Sequence, residues 1–252
     1  MIGVSCTHFG AEQPSVILDR IVGRFELWEI FSEGKNSIVQ NKEFFADLLP
    51  SYDLSYSVHA PICDLNLAAV SDRLREASLK ETVATAIAAN DLDIKLMTVH
   101  LGLYSMAVKG LEDRSLENAA RVMKGLDRIS KEYGVTMAIE NMPNVPYFIG
   151  RTADELGHVI AETDLSVCFD VGHANTTGQI DAMIDAFGDR LANVHIHDNN
   201  GERDEHLTIG DGNIDYVDVF SKLSGYQGNF VIEARDLESA VESQDRIAEM
   251  LE

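Results

Sequence analysis

The stretch TMAIENMPNVPYFIGRTADELGHVIAETDLSVCFDVGHA (136–174) contains the repeating unit that predicts the fold. It begins with a strand-like run over 136–142 and ends with another over 165–174, both rich in apolar residues. Between them, Thr152 is followed three residues later by Glu155, a capping-box signature that predicts the start of a helix. A strand, a helix and a second strand in this order predict two parallel strands joined by a helical crossover.

The same alternation continues on both sides of this unit. Helical patterns include 71–91, where apolar residues from Leu74 to Ala88 fall at helical spacings, and 115–134, which ends at a C-cap-like Gly134. The tail after 235 is predicted to form a closing helix. The remaining strand-like runs cover 2–7, 25–31, 54–61, 96–102, 192–198 and 229–235.

Eight strand–helix units predict a single (β/α)₈ barrel, the TIM-barrel class of α/β fold, over residues 1–252. The alternative is an open doubly wound sheet, which usually has a glycine-rich phosphate loop after its first strand. Here THFGAEQPS follows the first strand and contains no GxGxxG. No linker or low-complexity segment divides the chain, which favours one domain.

The chain is strongly acidic, with a formal net charge of −22. Such a surface repels phosphate backbones, so a nucleic-acid partner is disfavoured. The sequence has no apolar run of membrane-spanning length and does not begin like a signal peptide, so we expect no membrane partner. Its three cysteines, Cys6, Cys63 and Cys168, are odd in number and widely separated, which favours free thiols and a cytoplasmic location.

The polar residues of the chain concentrate where the strands end, which is where barrel enzymes carry out their chemistry. Six successive predicted strands carry His, Asp or Glu there or in the loop that follows. Imidazoles and carboxylates buried together without a cation would be costly, and both ligand types suit divalent ions. We therefore predict one to three ions of Zn, Mn or Mg. The predicted ligands are His59, His100, Glu140, Asp170, His173, His195, Asp204, His206 and Glu233.

Other residues have simpler interpretations. A lone strand-end histidine is more often a hydrogen-bonded structural residue, so the metal prediction depends on the convergence of nine residues. His8 and His158 are expected at the surface, and Trp28 either lines the pocket or packs in the core. His197 alternates in phase with His195, so it either contacts an ion or orients another ligand.

These motifs resemble those of the xylose isomerase-like TIM barrel superfamily. This superfamily includes sugar and sugar-phosphate isomerases and epimerases, together with endonuclease IV, an apurinic-site endonuclease of family 2. The resemblance covers essentially the whole chain and is more specific for the superfamily than for one reaction. The motifs that carry it are SVHAPICDLNLA (57–68), TVHLG (98–102), AIEN (138–141), CFDVGHA (168–174), VHIHDN (194–199), DEHLTIGDGNID (204–215) and VIEAR (231–235).

If the chain resembles the isomerases and epimerases, one divalent ion is held by two Glu, one Asp and one His. The resemblance places these ligands at Glu140, Asp170, His195 and Glu233. It also implies that Glu140 and Glu233 act as catalytic acid and base in a proton transfer through an enediolate. The substrate would then be a small sugar or sugar phosphate. The chain departs from these epimerases in two places. PNVP stands where they usually have an extra Glu shortly after the fifth-strand Glu. They also carry an Arg shortly after the seventh-strand His, and Arg203 matches its position only approximately.

If the chain instead resembles endonuclease IV, nine ligands hold three zinc ions and all nine have a counterpart here. Such a site would hydrolyse a phosphodiester. Three divalent ions with four carboxylates leave a net charge of +2, which attracts phosphate, whereas one ion with three carboxylates leaves −1, which suits a neutral sugar. The implied sets are His59, His100 and Glu140; Glu140 as a bridge with Asp170, His195 and Glu233; and His173, Asp204 and His206.

The isomerase or epimerase is the favoured interpretation. The rim loops contain few basic residues for gripping DNA, and the acidic surface does not oppose a small sugar. The phosphodiesterase is the alternative, because of the nine-ligand match. A non-catalytic binding barrel is the third interpretation, and it leaves the converging carboxylates without a role.

Overall fold

The computed structural model describes residues 1–251, with Thr7 and Leu251 described by their backbone alone. Eight parallel strands close into a barrel in chain order, which confirms the predicted (β/α)₈ fold. The strands are β1 (Ile2–Cys6), β2 (Leu27–Phe31), β3 (Ser55–His59), β4 (Leu96–Val99), β5 (Thr136–Glu140), β6 (Ser166–Asp170), β7 (Leu191–Ile196) and β8 (Asn229–Ala234).

Helices connect the strands and surround the barrel. Within residues 1–251, no helix is long and apolar enough to cross a membrane. The α-helices are α1 (Pro14–Ile21), α2 (Lys42–Leu48), α3 (Asp72–Asp91), α4 (Glu112–Tyr133), α5 (Ala153–Ile160), α6 (Val171–Thr177), α7 (Ile180–Phe187), α8 (Tyr216–Lys222) and α9 (Leu237–Leu251).

The alternation of side chains along each strand separates an apolar layer from a polar one. On β7, Val194 and Ile196 are fully buried in the hydrophobic core that the surrounding elements share. Asn193 and His195 lie on the opposite face and hydrogen-bond across the barrel interior to Glu29 on β2. The same pleat that packs the barrel against its helices therefore directs polar side chains toward the barrel axis.

Local signals at the helix ends behave as predicted. Thr152 is the N-cap of α5, and its Oγ1 accepts a hydrogen bond of 3.2 Å from the Glu155 amide. Gly134 ends α4 in the left-handed conformation at φ 64°, which glycine adopts without steric cost.

The predicted strand over 165–174 is too long. β6 ends at Asp170, and α6 begins at the next residue because the Asp170 carboxylate caps it, accepting a 2.6 Å hydrogen bond from the His173 amide. His173 thus lies in the first turn of a helix.

The spacing of apolar residues in 71–91 predicts α3 but does not identify its buried face. Leu74 is 65% exposed, whereas Thr82, Thr85 and Ala86 are buried. These small side chains form much of the buried face of the helix, and Leu79 and Val83 pack against the core beside them, partly buried.

Trp28 is 1% exposed, and its ring centre lies 6.4 Å from that of Phe45. It is therefore a core residue. His8 and His158 are exposed, as predicted.

Candidate metal centre

The nine predicted ligand residues meet at the C-terminal end of the barrel. Together with His197, which is not one of the nine, they form three neighbouring groups, and in each group the ligand-type atoms lie within 4.8 Å of one another. The first group is His59, His100 and Glu140; the central group is Glu140, Asp170, His195 and Glu233; the third group is His173, His197, Asp204 and His206.

Glu140, at the end of β5, joins the first and central groups. Its Oε2 lies 2.8 Å from His100 Nε2 and 3.2 Å from His59 Nε2. Its Oε1 lies 3.0 Å from His195 Nδ1. Because each carboxylate oxygen faces a different group, Glu140 has the arrangement of a bridging ligand.

The central group is the most deeply buried. Asp170 and His195 are fully buried, and the Glu233 side chain is 15% exposed. His195 Nδ1 lies 3.1 Å from Glu233 Oε1 and 3.9 Å from Asp170 Oδ2. That Asp170 oxygen is buried and has no hydrogen-bond partner. A cation among these atoms would satisfy an oxygen that the protein itself leaves unpaired.

The third group depends on a loop that folds back onto the end of β7. Asp198 and Leu207 exchange backbone hydrogen bonds of 3.0 and 2.8 Å, which returns the loop to the barrel. The Asp198 carboxylate also accepts hydrogen bonds from the Gly210 and Gly212 amides. Gly212 is required there, because a Cβ would lie 2.2 Å from Asp198 Oδ1.

This fold of the loop places Asp204 between two imidazoles. Its Oδ2 lies 3.3 Å from His173 Nε2, and its Oδ1 lies 3.3 Å from His206 Nε2. His206 has a φ of 47°, an uncommon conformation for a residue with a side chain. Such strain is tolerated where the surrounding structure imposes it, and functional sites are frequent locations.

His197 also reaches the third group. Its Nε2 lies 3.2 Å from Asp170 Oδ1 and 3.5 Å from Asp204 Oδ1, and its ring stacks on His206 at 4.0 Å. Gly172 makes room for it, since a Cβ at that position would lie 2.1 Å from His197 Cε1. The inward orientation expected of His197 is therefore observed, and both predicted roles remain compatible with these contacts.

The sequence patterns did not identify two buried residues of the site, Glu29 and Cys168. Glu29 is fully buried on β2, with Oε1 at 2.8 Å from His195 Nε2. The signal was a single carboxylate inside the apolar run FELWEIF (25–31). Cys168, which is fully buried on β6, lies with its sulfur close to the ligand atoms of Glu140 and His195. Burial raises the pKa of the Cys168 thiol, so it is neutral at physiological pH.

The charges in the site depend strongly on one another. Burial works to raise the pKa of Glu140, but the His195 and His100 imidazoles outweigh it and hold the pKa well below its usual value. Burial works to lower the pKa of His173, but the Asp170 and Asp204 carboxylates raise it well above the usual value. Without a metal, protonated imidazoles such as those of His173 and His195 therefore compensate the carboxylates, whereas burial lowers the pKa of His100.

The donor set suits a divalent cation. Within residues 1–251, the ion pairs of Glu140, Asp170, Asp204 and Glu233 are all with imidazoles, and none is with Lys or Arg. Carboxylate oxygens and imidazole nitrogens in this number are typical ligands of Zn²⁺ and Mn²⁺. The residues present thus fit the predicted metal.

Metal binding is expected to release protons. Burial works to lower the pKa of His206, but its hydrogen bond to Asp204 and the Glu233 charge raise it to about 9. At pH 7 the metal-free imidazole carries a proton, which a cation bound in the third group must displace. The Zn²⁺ affinity of the third group should therefore rise between pH 6 and pH 9. Isothermal titration in buffers of different ionisation enthalpy should show release of about one proton or more per ion. Equal affinity at pH 6 and pH 8, with no buffer dependence, would contradict this prediction.

A small cavity of about 170 Å³ opens over the three groups. Its polar wall includes His59, His100, Glu140 and Glu233, and Phe31 and Phe148 line it as well. This volume is below the roughly 300 Å³ at which pockets for drug-sized ligands begin. The cavity therefore suits a small molecule.

The fold and the site define a class of protein, namely a (β/α)₈ barrel with residues that can hold divalent cations at the C-terminal ends of its strands. Within that class, the chain belongs to the family described as xylose isomerase-like TIM barrel, which residues 25–252 match. This confirms the resemblance found in the motifs.

Three similar proteins show the range of this family. The chain is 34% identical to the uncharacterized protein MJ1311 of Methanocaldococcus jannaschii, over 99% of the chain and 89% of that protein. It is 31% identical to a D-tagatose 3-epimerase-like protein of known structure, with a TM-score of 0.91 over 99% of this chain and 96% of that one. It is 33% identical to a probable endonuclease 4 of Natronomonas pharaonis, over 60% of the chain and 58% of that protein. The relatives thus include both sugar epimerases and endonucleases.

Proposed function

We propose that the protein is a divalent-metal-dependent isomerase or epimerase of a small sugar or sugar phosphate. The observation that carries the proposal is the placement of two carboxylates beside one imidazole at the edge of the small cavity. Glu140 Oε1 and Glu233 Oε1 lie 3.0 and 3.1 Å from His195 Nδ1, and both residues line the cavity. A substrate there would lie between two groups able to accept and donate a proton.

In this proposal the central group, Glu140, Asp170, His195 and Glu233, holds the essential cation. When bound, the cation would polarise the carbonyl and hydroxyl oxygens of the sugar, which makes the neighbouring C–H more acidic.

Side chains of the protein carry out the proton transfer. One of Glu140 and Glu233 takes the proton from the carbon beside the carbonyl, and the C–H electron pair moves into the carbon skeleton as the carbonyl oxygen gains charge. The other glutamate, protonated at the start, then returns a proton, so the two carboxyl groups exchange protonation states. Return to the opposite face of the same carbon gives an epimer. Return to the neighbouring carbon gives an isomer, with the hydroxyl proton of the first carbon moving to the former carbonyl oxygen. Atoms and charge balance without any co-reactant.

The similarity to a D-tagatose 3-epimerase-like protein supports this class of reaction. The small cavity also supports it, because a hexose-sized molecule needs no long groove. The departure after β5, where PNVP replaces a Glu usual in such epimerases, indicates a substrate different from the usual ketoses.

The test of the proposal uses hydrogen exchange. The protein, loaded with Mn²⁺ or Zn²⁺, is incubated in D₂O with a panel of ketoses, aldoses and their phosphates. We expect deuterium to enter the carbon beside the carbonyl of at least one of them, detected by NMR. If the protein introduces deuterium into none of these sugars but cleaves a phosphoester, the proposal is overturned in favour of hydrolysis.

Phosphoester hydrolysis is the second candidate, and the third group favours it. His173, Asp204 and His206 lie beside the central group in an arrangement that a single-ion isomerase does not need. The probable endonuclease 4 among the relatives supports this candidate. Against it stand the net charge of −22 and the small cavity.

Replacing His59 and His100 together by Ala separates the two candidates. Their Nε2 atoms lie nearest to Oε2 of Glu140, the oxygen that faces away from His195, and the four residues of the central group remain in the double variant. For the proposed isomerase we expect proton exchange to stay within about 10-fold of the wild type, since the acid–base pair is intact. In a hydrolase that needs every ion, the same double variant should lower the rate of phosphoester hydrolysis by more than about 100-fold. A fall of that size in sugar exchange by a folded double variant would contradict the single-ion mechanism.

A further inference from the structure

Glu29 has an unusual position for a carboxylate. It lies in the middle of β2, is fully buried inside the barrel, and is not part of any of the three groups of candidate ligands. Its ion pair within residues 1–251 is with His195 and not with Lys or Arg. A buried carboxylate is costly unless its lone pairs are satisfied, so its partners indicate what it does.

Three donors surround the Glu29 carboxylate. Its Oε2 accepts hydrogen bonds from Ser57 Oγ at 2.8 Å and from Asn193 Nδ2 at 2.7 Å. Its Oε1 lies 2.8 Å from His195 Nε2. Asn193 also donates to Thr98 Oγ1 at 3.1 Å, which fixes its side chain. This network holds the Glu29 carboxylate in one orientation, with one oxygen directed at the imidazole.

The contact with Glu29 decides which nitrogen of His195 can bind a cation. An ionised carboxylate only accepts hydrogen bonds, so the hydrogen bond to Glu29 requires a proton on Nε2. When a cation takes the place of the second proton, on Nδ1, the lone pair of the neutral imidazole is therefore on Nδ1. That nitrogen faces Glu140 Oε1 and Glu233 Oε1 at 3.0 and 3.1 Å, where the central cation is proposed to lie.

We propose that Glu29 is the positioning residue of the site, and that it makes His195 a ligand through Nδ1 by accepting a hydrogen bond from Nε2–H. Metal-bound histidines commonly have such a carboxylate partner, which fixes the ring and strengthens it as a ligand. The inference rests on the proposed cation of the central group. Glu29 also adds one negative charge beneath that group, so the barrel interior favours a cation there more strongly than the direct ligands alone would.

The test compares Glu29→Gln and Glu29→Leu with the wild type. Gln keeps the size and one acceptor oxygen but removes the charge, whereas Leu removes both. We expect Glu29→Gln to weaken binding of Zn²⁺ by about 10–100-fold, measured by competition with a chelator, and Glu29→Leu to weaken it further. Glu43→Gln is the control, since it removes one charge from an exposed helix residue and should leave the affinity unchanged.

A second readout follows the proton itself. In the zinc-loaded wild type, proton–nitrogen NMR should show His195 bound through Nδ1, with a slowly exchanging, downfield Nε2–H. Glu29→Gln should move this signal upfield, which a loss of packing alone would not do. Zinc ligation of the wild type through Nε2, or unchanged affinity and signal in folded Glu29→Gln, would overturn the proposal. The wild-type spectrum decides even if a variant fails to fold.

These outcomes are separate from those of the proposed function. A protein whose zinc affinity depends on Glu29 but which exchanges no sugar proton would keep the positioning role and lose the proposed reaction. A protein that exchanges sugar protons with full zinc affinity in Glu29→Gln would lose the positioning role alone. A wild type that binds no divalent ion would overturn both.

Discussion

Replacing Glu140 by Gln is expected to lower turnover by at least about 100-fold, the usual size of a lost acid–base group. Its two carboxylate oxygens contact imidazoles of two groups, so the change also removes a ligand charge from both. We therefore expect weaker binding of the central ion as well, seen as a lower metal content per chain. Proton exchange in D₂O and elemental analysis measure the two effects.

The matched control for this variant is Glu132→Gln, an exposed glutamate near the end of α4. It changes the net charge equally and should leave both turnover and metal content as they are. Glu233→Gln should reduce turnover as strongly as Glu140→Gln, because the transfer needs one group on each side. Full turnover in either catalytic variant would exclude the proposed acid–base pair.

Removing the metal is expected to abolish activity and to lower the melting temperature by roughly 5–10 °C. A ligand at 100 times its Kd stabilises a folded protein by about 2.7 kcal/mol. In a chain of this size each 1 kcal/mol shifts the melting temperature by about 2–4 °C. The physical reason is the crowding of Glu29, Glu140, Asp170 and Glu233, which the cation relieves.

Scanning calorimetry before and after dialysis against a chelator measures this change, and elemental analysis confirms that the ion has left. Adding back Mn²⁺ or Zn²⁺ should restore both the melting temperature and the activity. An unchanged melting temperature in verified metal-free protein would show that no ion binds the folded state strongly.

The barrel could be predicted from the sequence because its signals are local and repeated. Each strand is a short apolar run, and caps such as Thr152 and Gly134 mark helix ends without reference to the rest of the chain. Exact boundaries could not be predicted in the same way. Asp170 ends β6 because its side chain caps α6, a choice that the apolar pattern around it does not reveal.

The rim residues could be predicted because a barrel brings all its strand ends to one place. Once the strands are assigned, His59, Glu140 and Glu233 must be neighbours, whatever their separation in sequence. The fold of the loop after β7 was less predictable, since the third group depends on the Asp198–Leu207 pairing and on the glycine amides bound to Asp198.

Glu29 and the buried face of α3 could not be predicted, for a common reason. Both depend on which side of an element faces inward, and the local pattern is ambiguous where both sides are buried. Glu29 lies between Trp28 and Ile30, which pack in the core, and only its contacts across the barrel with Asn193 and His195 show its role.

We propose that the polar rim of this barrel is a divalent metal site. Its most direct test is elemental analysis of protein prepared without chelators or a metal-binding tag, together with the Glu140→Gln variant. We expect at least one Zn or Mn ion per wild-type chain and a clear loss in the variant. About one ion supports the isomerase or epimerase, and about three ions favour phosphoester hydrolysis. A wild-type chain that holds no divalent ion, even after incubation with excess Zn²⁺ and Mn²⁺, would contradict the claim.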